Sequence, residues 1–255
     1  MRILLTNDDG VNATGLKVLE NIARAFSDDI WIVAPTEEQS GAGHSLTLTR
    51  PVRLRKLGER RFCVTGTPTD AVMMGLAHIL KDGQPDLILS GVNRGANLGE
   101  DVTYSGTCSA AMEGALAGIP SIALSQSYAK EGMGDTVPFA AAEAWAERVL
   151  APLIATEMAP RTLVNVNFPD CPPGAVKGIA VATQGKRDAQ LLHIDARHDG
   201  RGNPYYWIAF ARGPRPPSRN GTDLQALTDH WISVTPLRID MTDEPFMTRL
   251  AELFG

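Results

Sequence analysis

The sequence predicts an α/β protein built on a mostly parallel sheet with helices on its faces, followed by a β-rich extension and a terminal helix. Three observations predict it. Short aliphatic runs, Ile3-Leu4-Leu5, Ile30 to Ala34 and Leu87-Ile88-Leu89, read as buried strands, because a strand covered on both faces loses the alternation of a half-exposed one. Apolar residues at helical spacing lie between such runs, and strand–helix–strand alternation points to parallel crossovers. Beyond about residue 175 that alternation stops and extended, aromatic-rich stretches take over.

The elements follow in order. Arg2 to Asn7 is the first strand, and Leu16, Leu19, Ile22 and Ala23 mark the first helix. Ile30 to Ala34 is the second strand, closed by Pro35. Residues 36–49 are rich in Gly, Ser, Thr and charge and read as a long loop, a kind of segment that often carries function. Val52 to Arg55 and Arg61 to Thr65 form a hairpin pair. Thr67-Pro68-Thr69-Asp70 opens a helix, with Thr67 as N-cap and Pro68 in the first helical position. His78 falls in the apolar stretch that follows and reads as structural. Asp86 to Ser90 is a strand, Gly91 to Gly106 a glycine-rich loop, Thr107 to Ala117 a helix and Ser121 to Leu124 a strand. Phe139, Ala142, Trp145, Val149 and Leu153 trace an amphipathic helix, and Leu163 to Val166 a strand. Residues 184–204 are polar and basic, Tyr205 to Phe210 and Trp231 to Val234 look extended, and Asp243 to Phe254 suits a terminal helix. The chain reads as one domain, 1–255, with a core to about residue 175.

Composition narrows the function. Hydrophobic residues make up 44% and charged residues 21% of the 255, which fits a globular chain and not a disordered one. A net charge of −5 disfavours long nucleic acid and anionic membranes as partners. The run Ile3-Leu4-Leu5 is too short for a signal segment or a membrane span. Cys63, Cys108 and Cys171 are odd in number, widely spaced and free of CxxC. A disulfide framework is therefore not expected, and the cytoplasm is the expected location.

In open parallel sheets, ligands bind beyond the carboxyl ends of the strands. Asp8 and Asp9 fall there after the first strand, Ser40 in the loop after the second, and Asn93 to Asn97 after the Leu87–Leu89 strand. Adjacent carboxylates repel, and a cation relieves the repulsion. Asp8, Asp9, Ser40 and Asn93 make a hard oxygen set suited to Mg²⁺ or Mn²⁺. Taken alone, Asp8-Asp9-Gly10 is better read as a polar turn or cap, Ser40 as a solvated loop serine and Asn93 as a turn residue; it is their joint placement after three strands that favours a site. Tyr104-Ser105-Gly106-Thr107 enters a helix, whose N-terminal amides and dipole could cradle a phosphate; an ordinary N-cap explains the segment by itself. No GxxxxGK[ST], GxSxG or HExxH occurs. Gly41-Ala42-Gly43 lacks the third glycine of a dinucleotide fingerprint. Among the five histidines, His44 lies nearest Ser40 in sequence, with a loop role as good a reading as a site role.

Taken together, these segments resemble the SurE family of 5'/3'-nucleotidases, the stationary-phase survival proteins. The resemblance rests on Ile3 to Gly10, Ala34-Pro35 with Gln39-Ser40-Gly41, Gly66 to Asp70, Ser90 to Gly99 and Tyr104 to Thr107. Asn165-Val166-Asn167-Phe168-Pro169, Gly221-Thr222-Asp223 and Ser233 to Leu237 extend it. Cys108 and Thr14 depart from the usual pattern at positions that touch no expected ligand. The resemblance implies a Rossmann-like core with helices on both faces and a C-terminal β-hairpin extension with a terminal helix. It implies a phosphatase for nucleoside 5'- and 3'-monophosphates, with short polyphosphate a further substrate. It also implies one divalent metal ion per subunit, Mg²⁺ or Mn²⁺, on Asp8, Asp9, Ser40 and Asn93. A homodimer or homotetramer joined through residues 176–255 is implied too. On this reading Asp8 and Asp9 are catalytic, while Asn97, Ser105, Gly106 and Thr107 hold the phosphate. Attack by a carboxylate, giving an aspartyl-phosphate, is the competing chemistry. A non-catalytic metal and nucleotide sensor would use the same ligands. A haloacid-dehalogenase-like phosphatase needs DxD, and Asp8-Asp9-Gly10 does not supply it.

Overall fold

The computed structural model describes residues 1–128, 138–187, 192–210 and 219–255. Its strands are β1 (Arg2–Thr6), β2 (Asp29–Pro35), β3 (Leu54–Lys56), β4 (Arg61–Val64), β5 (Leu87–Arg94) and β6 (Ser121–Gln126). They continue with β7 (Thr162–Phe168), β8 (Gly178–Val181), β9 (Leu192–His198), β10 (Pro204–Phe210) and β11 (Trp231–Arg238). The helices are α1 (Thr14–Ala23), α2 (Pro68–Met74), α3 (Gly106–Leu116), α4 (Ala140–Ile154), α5 (Asp223–Thr228) and α6 (Glu244–Phe254). Nine strands form one sheet in the order β3-β4-β2-β1-β5-β6-β7-β11-β8. The run from β4 to β7 is parallel, and β3 and β11 join it antiparallel. β9 and β10 make a separate antiparallel ribbon.

Alternation along β1 sends its aliphatic residues to opposite faces. Ile3 and Leu5 pack with Leu16 and Leu19 of α1 and with Ala142 and Val149 of α4. Leu4 packs on the other side with Ala71 and Val72 of α2 and Ala110 of α3. Both faces of the parallel region are therefore covered, which is why its strands read as continuous apolar runs. Leu4 is completely buried, and truncating such a residue to alanine costs roughly 2–5 kcal/mol.

The chain leaves β1 through α1 to reach β2 on one side, while β5 lies on the other side of β1. That reversal opens a crevice at the carboxyl ends of β1 and β5. The register pairs Thr6 with Ser90, so Asp8 and Asn93 both emerge on that edge.

Three features differ from the sequence expectation. β5 runs on to Arg94 instead of stopping at Ser90. Gly91 has φ +138, and a Cβ there would lie 2.2 Å from the Leu124 carbonyl oxygen. The glycine permits a bulge between Ser90 and Asn93, after which pairing resumes against Ser125 and Gln126. His78 is not enclosed in an apolar helix: it sits exposed on a π-turn that extends α2. α5 had no visible period, since its six residues are shorter than the window in which a helical repeat can be recognised. Strands β8 and β11, from beyond residue 175, complete the main sheet, while α6 has no buried residue. Residues 188–191, part of the polar and basic stretch, lie outside the described residues.

Candidate active site

The end of β1 is built to hold carboxylates in a tight turn. Asn7 Nδ2 donates to the Gly10 carbonyl at 2.9 Å, and Gly10 takes φ +99, a conformation that favours glycine. Asn7 Oδ1 is buried with no hydrogen-bond partner among the described residues. Asp8 follows, 4% exposed. Its carboxyl is pushed up from 3.8 to about 7, first by burial and then by the neighbouring Asp9.

The loop after β2 is tied to this turn. The Gln39 amide donates to the Asp8 carbonyl at 2.8 Å, which brings Ser40 to the same edge. Ser40 Oγ donates to Glu38 Oε1 at 2.9 Å. From the other side, the Arg94 amide donates to Asp9 Oδ2 at 3.0 Å. Arg94 Nη2 also pairs with Glu38 Oε1 at 3.1 Å. Asn93, 8% exposed, donates through Nδ2 to the Gly95 carbonyl at 2.8 Å. Residues adjacent to Ser40 and Asn93 are thus bonded to Asp8 and Asp9, and the four sequence-predicted ligands converge on one crevice.

The donor set fits a hard divalent cation on two counts. A buried carboxyl carrying a second carboxylate beside it is relieved by positive charge. The outward groups of Ser40 and Asn93 are already engaged: the serine proton by Glu38, the asparagine NH₂ by Gly95. Lone pairs of Ser40 Oγ and Asn93 Oδ1 are left for a cation, as outer-shell partners of metal ligands commonly arrange. Among the described residues no three His, Cys, Asp or Glu side chains gather as a metal-binding group. The set therefore depends on neutral oxygen donors beside its two carboxylates.

The N-terminus of α3 closes the crevice. Ser105 caps it, accepting from the Cys108 amide at 3.0 Å, which leaves its own hydroxyl proton available. The amides of Gly106 and Thr107 lie in the first turn, where the helix offers no acceptor. A Cβ at Gly106 would lie 2.8 Å from the Asp8 Cβ and 3.1 Å from its Oδ2; only glycine lets the helix come this close. Thr107 Oγ1 donates to Asp8 Oδ1 at 2.5 Å. Its hydroxyl thus serves the carboxylate, and its backbone N–H is the part left for an anion. Asn97, 8% exposed, donates one Nδ2 hydrogen to Ser125 Oγ at 2.9 Å and retains the other. His44 Nε2 lies 3.0 Å from Glu113 Oε2 on α3.

Sequence reasoning assigned no role to several residues around the site. Asn165 and Asn167 of β7 are fully buried. Asn167 accepts from the Asn97 amide at 2.8 Å and donates to the Asn97 carbonyl at 3.1 Å, while Asn165 adds a second bond to that carbonyl at 2.8 Å. The signal for them was two asparagines alternating inside an apolar strand. Glu38 and Arg94 carried no signal beyond adjacency to the predicted ligands.

Comparison with known proteins identifies the family. Residues 3–191 match the family described as Survival protein SurE. A 5'-nucleotidase SurE from Rhizorhabdus wittichii is 63% identical over 254 residues, covering 100% of both chains. One from Methylorubrum extorquens (strain PA1) is 59% identical over 254 residues, covering 100% of this chain and 99% of that protein. The crystal structure of the SurE protein from Aquifex aeolicus superposes with a TM-score of 0.82 at 37% identity, covering 100% of both chains. With a family match over residues 3–191 and full-length relatives at 59% and 63% identity, the chain belongs to the SurE family.

Proposed function

We propose that the protein is a divalent-metal-dependent phosphatase hydrolysing nucleoside 5'-monophosphates, with 3'-monophosphates and short polyphosphate as further substrates. The observation that carries this reading is the Asp8 carboxyl, raised by its burial and then by Asp9, and set directly against the N-terminus of α3. A cation site and an anion site thereby share one crevice. The names of full-length relatives, 5'-nucleotidase SurE, supply the substrate class.

Asp8, Asp9, Ser40 and Asn93 would hold one Mg²⁺ or Mn²⁺ per subunit, and such an ion supplies Lewis acidity to a phosphate oxygen and a more acidic water. The chain's own groups do the rest. Ser105 Oγ, the Gly106 and Thr107 amides and the second Asn97 amide hydrogen bind the phosphate oxygens. One of Asp8 and Asp9 orients the attacking water and takes its proton. Thr107 fixes the Asp8 carboxylate for this role.

Two further parts of the reading are a cytoplasmic location and a homo-oligomer. No helix among the described residues is long and apolar enough to cross a membrane. The three cysteines are unpaired, as suits a cytoplasmic protein. Tyr206, Trp207 and Ile208 on the β9–β10 ribbon, and Phe246, Met247 and Phe254 on α6, are exposed apolar residues. Such patches favour a homodimer or homotetramer joined through the C-terminal extension.

The test is phosphate release from 5'-AMP, 3'-AMP and tripolyphosphate with Mg²⁺, with Mn²⁺ and with EDTA. Release from 5'-AMP that needs metal is expected. Nucleotide binding without release under every metal would instead identify a sensor.

A further inference from the structure

The acidic side chain of Asp223 is completely buried in the molecule, and no step of the proposed reaction uses it. Asp223 opens α5, 124 residues from Gly99, and both its oxygens accept backbone amides. Gly99 N donates to Oδ2 at 2.8 Å. Gly185 N and Leu224 N each donate to Oδ1 at 2.8 Å. Three separate chain segments meet on this one carboxylate.

The meeting is sterically exacting. A Cβ at Gly185 would lie 2.9 Å from Asp223 Oδ1 and 2.7 Å from Leu224 Cδ1. Gly99 has φ +56, and a Cβ there would lie 3.1 Å from the Gly185 carbonyl oxygen. The segment gripped in this way starts at Asn97. Gln184 Nε2 adds a bond to the Gly99 carbonyl at 2.8 Å, and Arg187 Nη2 pairs with Asp101 Oδ2 at 2.5 Å. Asn165 and Asn167 hold the backbone of Asn97 itself from the β7 side.

We propose that Asp223 is a positioning residue for phosphate binding: through the Gly99 amide it fixes the Asn97–Gly99 segment, and so places the Asn97 side chain at the site. The proposal rests on Asn97 being a phosphate-binding group, as assigned above. A preorganised loop binds its ligand without an ordering cost at the moment of binding. A residue from beyond β8 thereby contributes to a site whose metal- and phosphate-binding groups all come from residues 8–107.

The carboxylate chemistry gives a selective variant. Oδ1 carries two amide donors and Oδ2 carries one. In Asp223→Asn the remaining oxygen stays where two donors need it. The NH₂ then faces Gly99 N, donor against donor, and that one bond is lost. Kinetics on 5'-AMP should show KM raised about tenfold with kcat within about threefold, the pattern of lost ground-state binding. Hydrogen exchange should speed up in the peptide covering residues 97–101 and stay unchanged in β1 and β7. In an Asn97→Ala background the same substitution should cost less than about twofold, because coupled residues are not additive.

An unchanged KM, or full additivity with Asn97→Ala, would overturn the proposal. If Asp223→Asn does not fold, Gln184→Ala removes an exposed donor to the same Gly99 and should raise KM about threefold; no rise overturns the proposal. If the wild-type protein does not hydrolyse 5'-AMP, the nucleotidase reading fails by itself. Calorimetric binding of inorganic phosphate to wild type and variant then decides, and equal affinities overturn the positioning role.

Discussion

Thr107 Oγ1 lies 2.5 Å from Asp8 Oδ1, joining the first turn of α3 to the end of β1 across 99 residues of sequence. The bond favours the ionised carboxylate and so opposes the upward push of burial and of Asp9. Thr107→Val keeps the shape and removes the donor. A hydrogen bond to a charged group contributes roughly 1.5–3 kcal/mol, so kcat/KM for 5'-AMP should fall about 10- to 100-fold. The acidic limb of the pH–rate profile should move to higher pH, since losing the bond raises the pKa further. A profile that drops in height without moving would show that the hydroxyl does not act through Asp8.

Asp8 also predicts how metal-free stability depends on pH. Its folded pKa of about 7 lies above the value of 3.8 for an unperturbed side chain. Between these values the folded state binds the proton more tightly than the unfolded state does. The group's contribution therefore falls as pH rises from about 4 to about 7, and stays lost above that. The full loss is on the order of 4 kcal/mol. In EDTA at pH 8, Asp8→Asn should unfold at higher urea than wild type, with the difference gone at pH 4. Added Mn²⁺ should stabilise wild type and leave the variant unmoved.

Gly106→Ala places a Cβ 2.8 Å from the Asp8 Cβ and 3.0 Å from Pro68 Cγ. Neither neighbour can retreat easily, because Pro68 begins α2 and Asp8 is held by Thr107. Overpacking of this kind costs about 1–3 kcal/mol. The variant should remain folded, with a lower thermal midpoint and phosphatase activity reduced at least about tenfold, since roughly 1.4 kcal/mol on the barrier suffices. Activity equal to wild type would mean that α3 need not touch Asp8.

Glu38 touches no substrate in the proposed mechanism, yet it accepts the Ser40 hydroxyl and pairs with Arg94. Glu38→Ala frees the Ser40 proton to compete with a cation for the same oxygen. Loss of an outer-shell partner typically lowers metal affinity about 10- to 100-fold. Titration with Mn²⁺ should show this weakening, and saturating metal should restore most of kcat. Unaltered Mn²⁺ affinity would remove Glu38, and with it the argument for Ser40.

Much of this protein is legible along the chain because its strongest signals are local. Ile3-Leu4-Leu5 announces a strand covered on both faces, and Thr67-Pro68-Thr69-Asp70 announces a capped helix; the reciprocal Thr67–Asp70 bonds are formed as a capping box. The strand-end rule places Asp8, Ser40 and Asn93 on one edge before any coordinate is known. Gly91 misled, because a glycine chosen for close approach to the Leu124 carbonyl looks the same in sequence as a loop glycine. His78 misled because apolar neighbours do not tell which way one side chain points on a helix that widens into a π-turn.

The sequence by itself determined the α/β architecture, the order of the core elements and the residue types at the crevice, since strand burial, helix caps and oxygen-donor chemistry are written in short windows. Only the tertiary structure decided what those residues do for one another. The Thr107 hydroxyl serves Asp8, Glu38 takes the Ser40 proton, and Asp223 reaches Gly99 across 124 residues. Hydrogen bonds act over about 3 Å whatever the separation along the chain, so their partners are set by the packing of α3 and α5 onto the sheet.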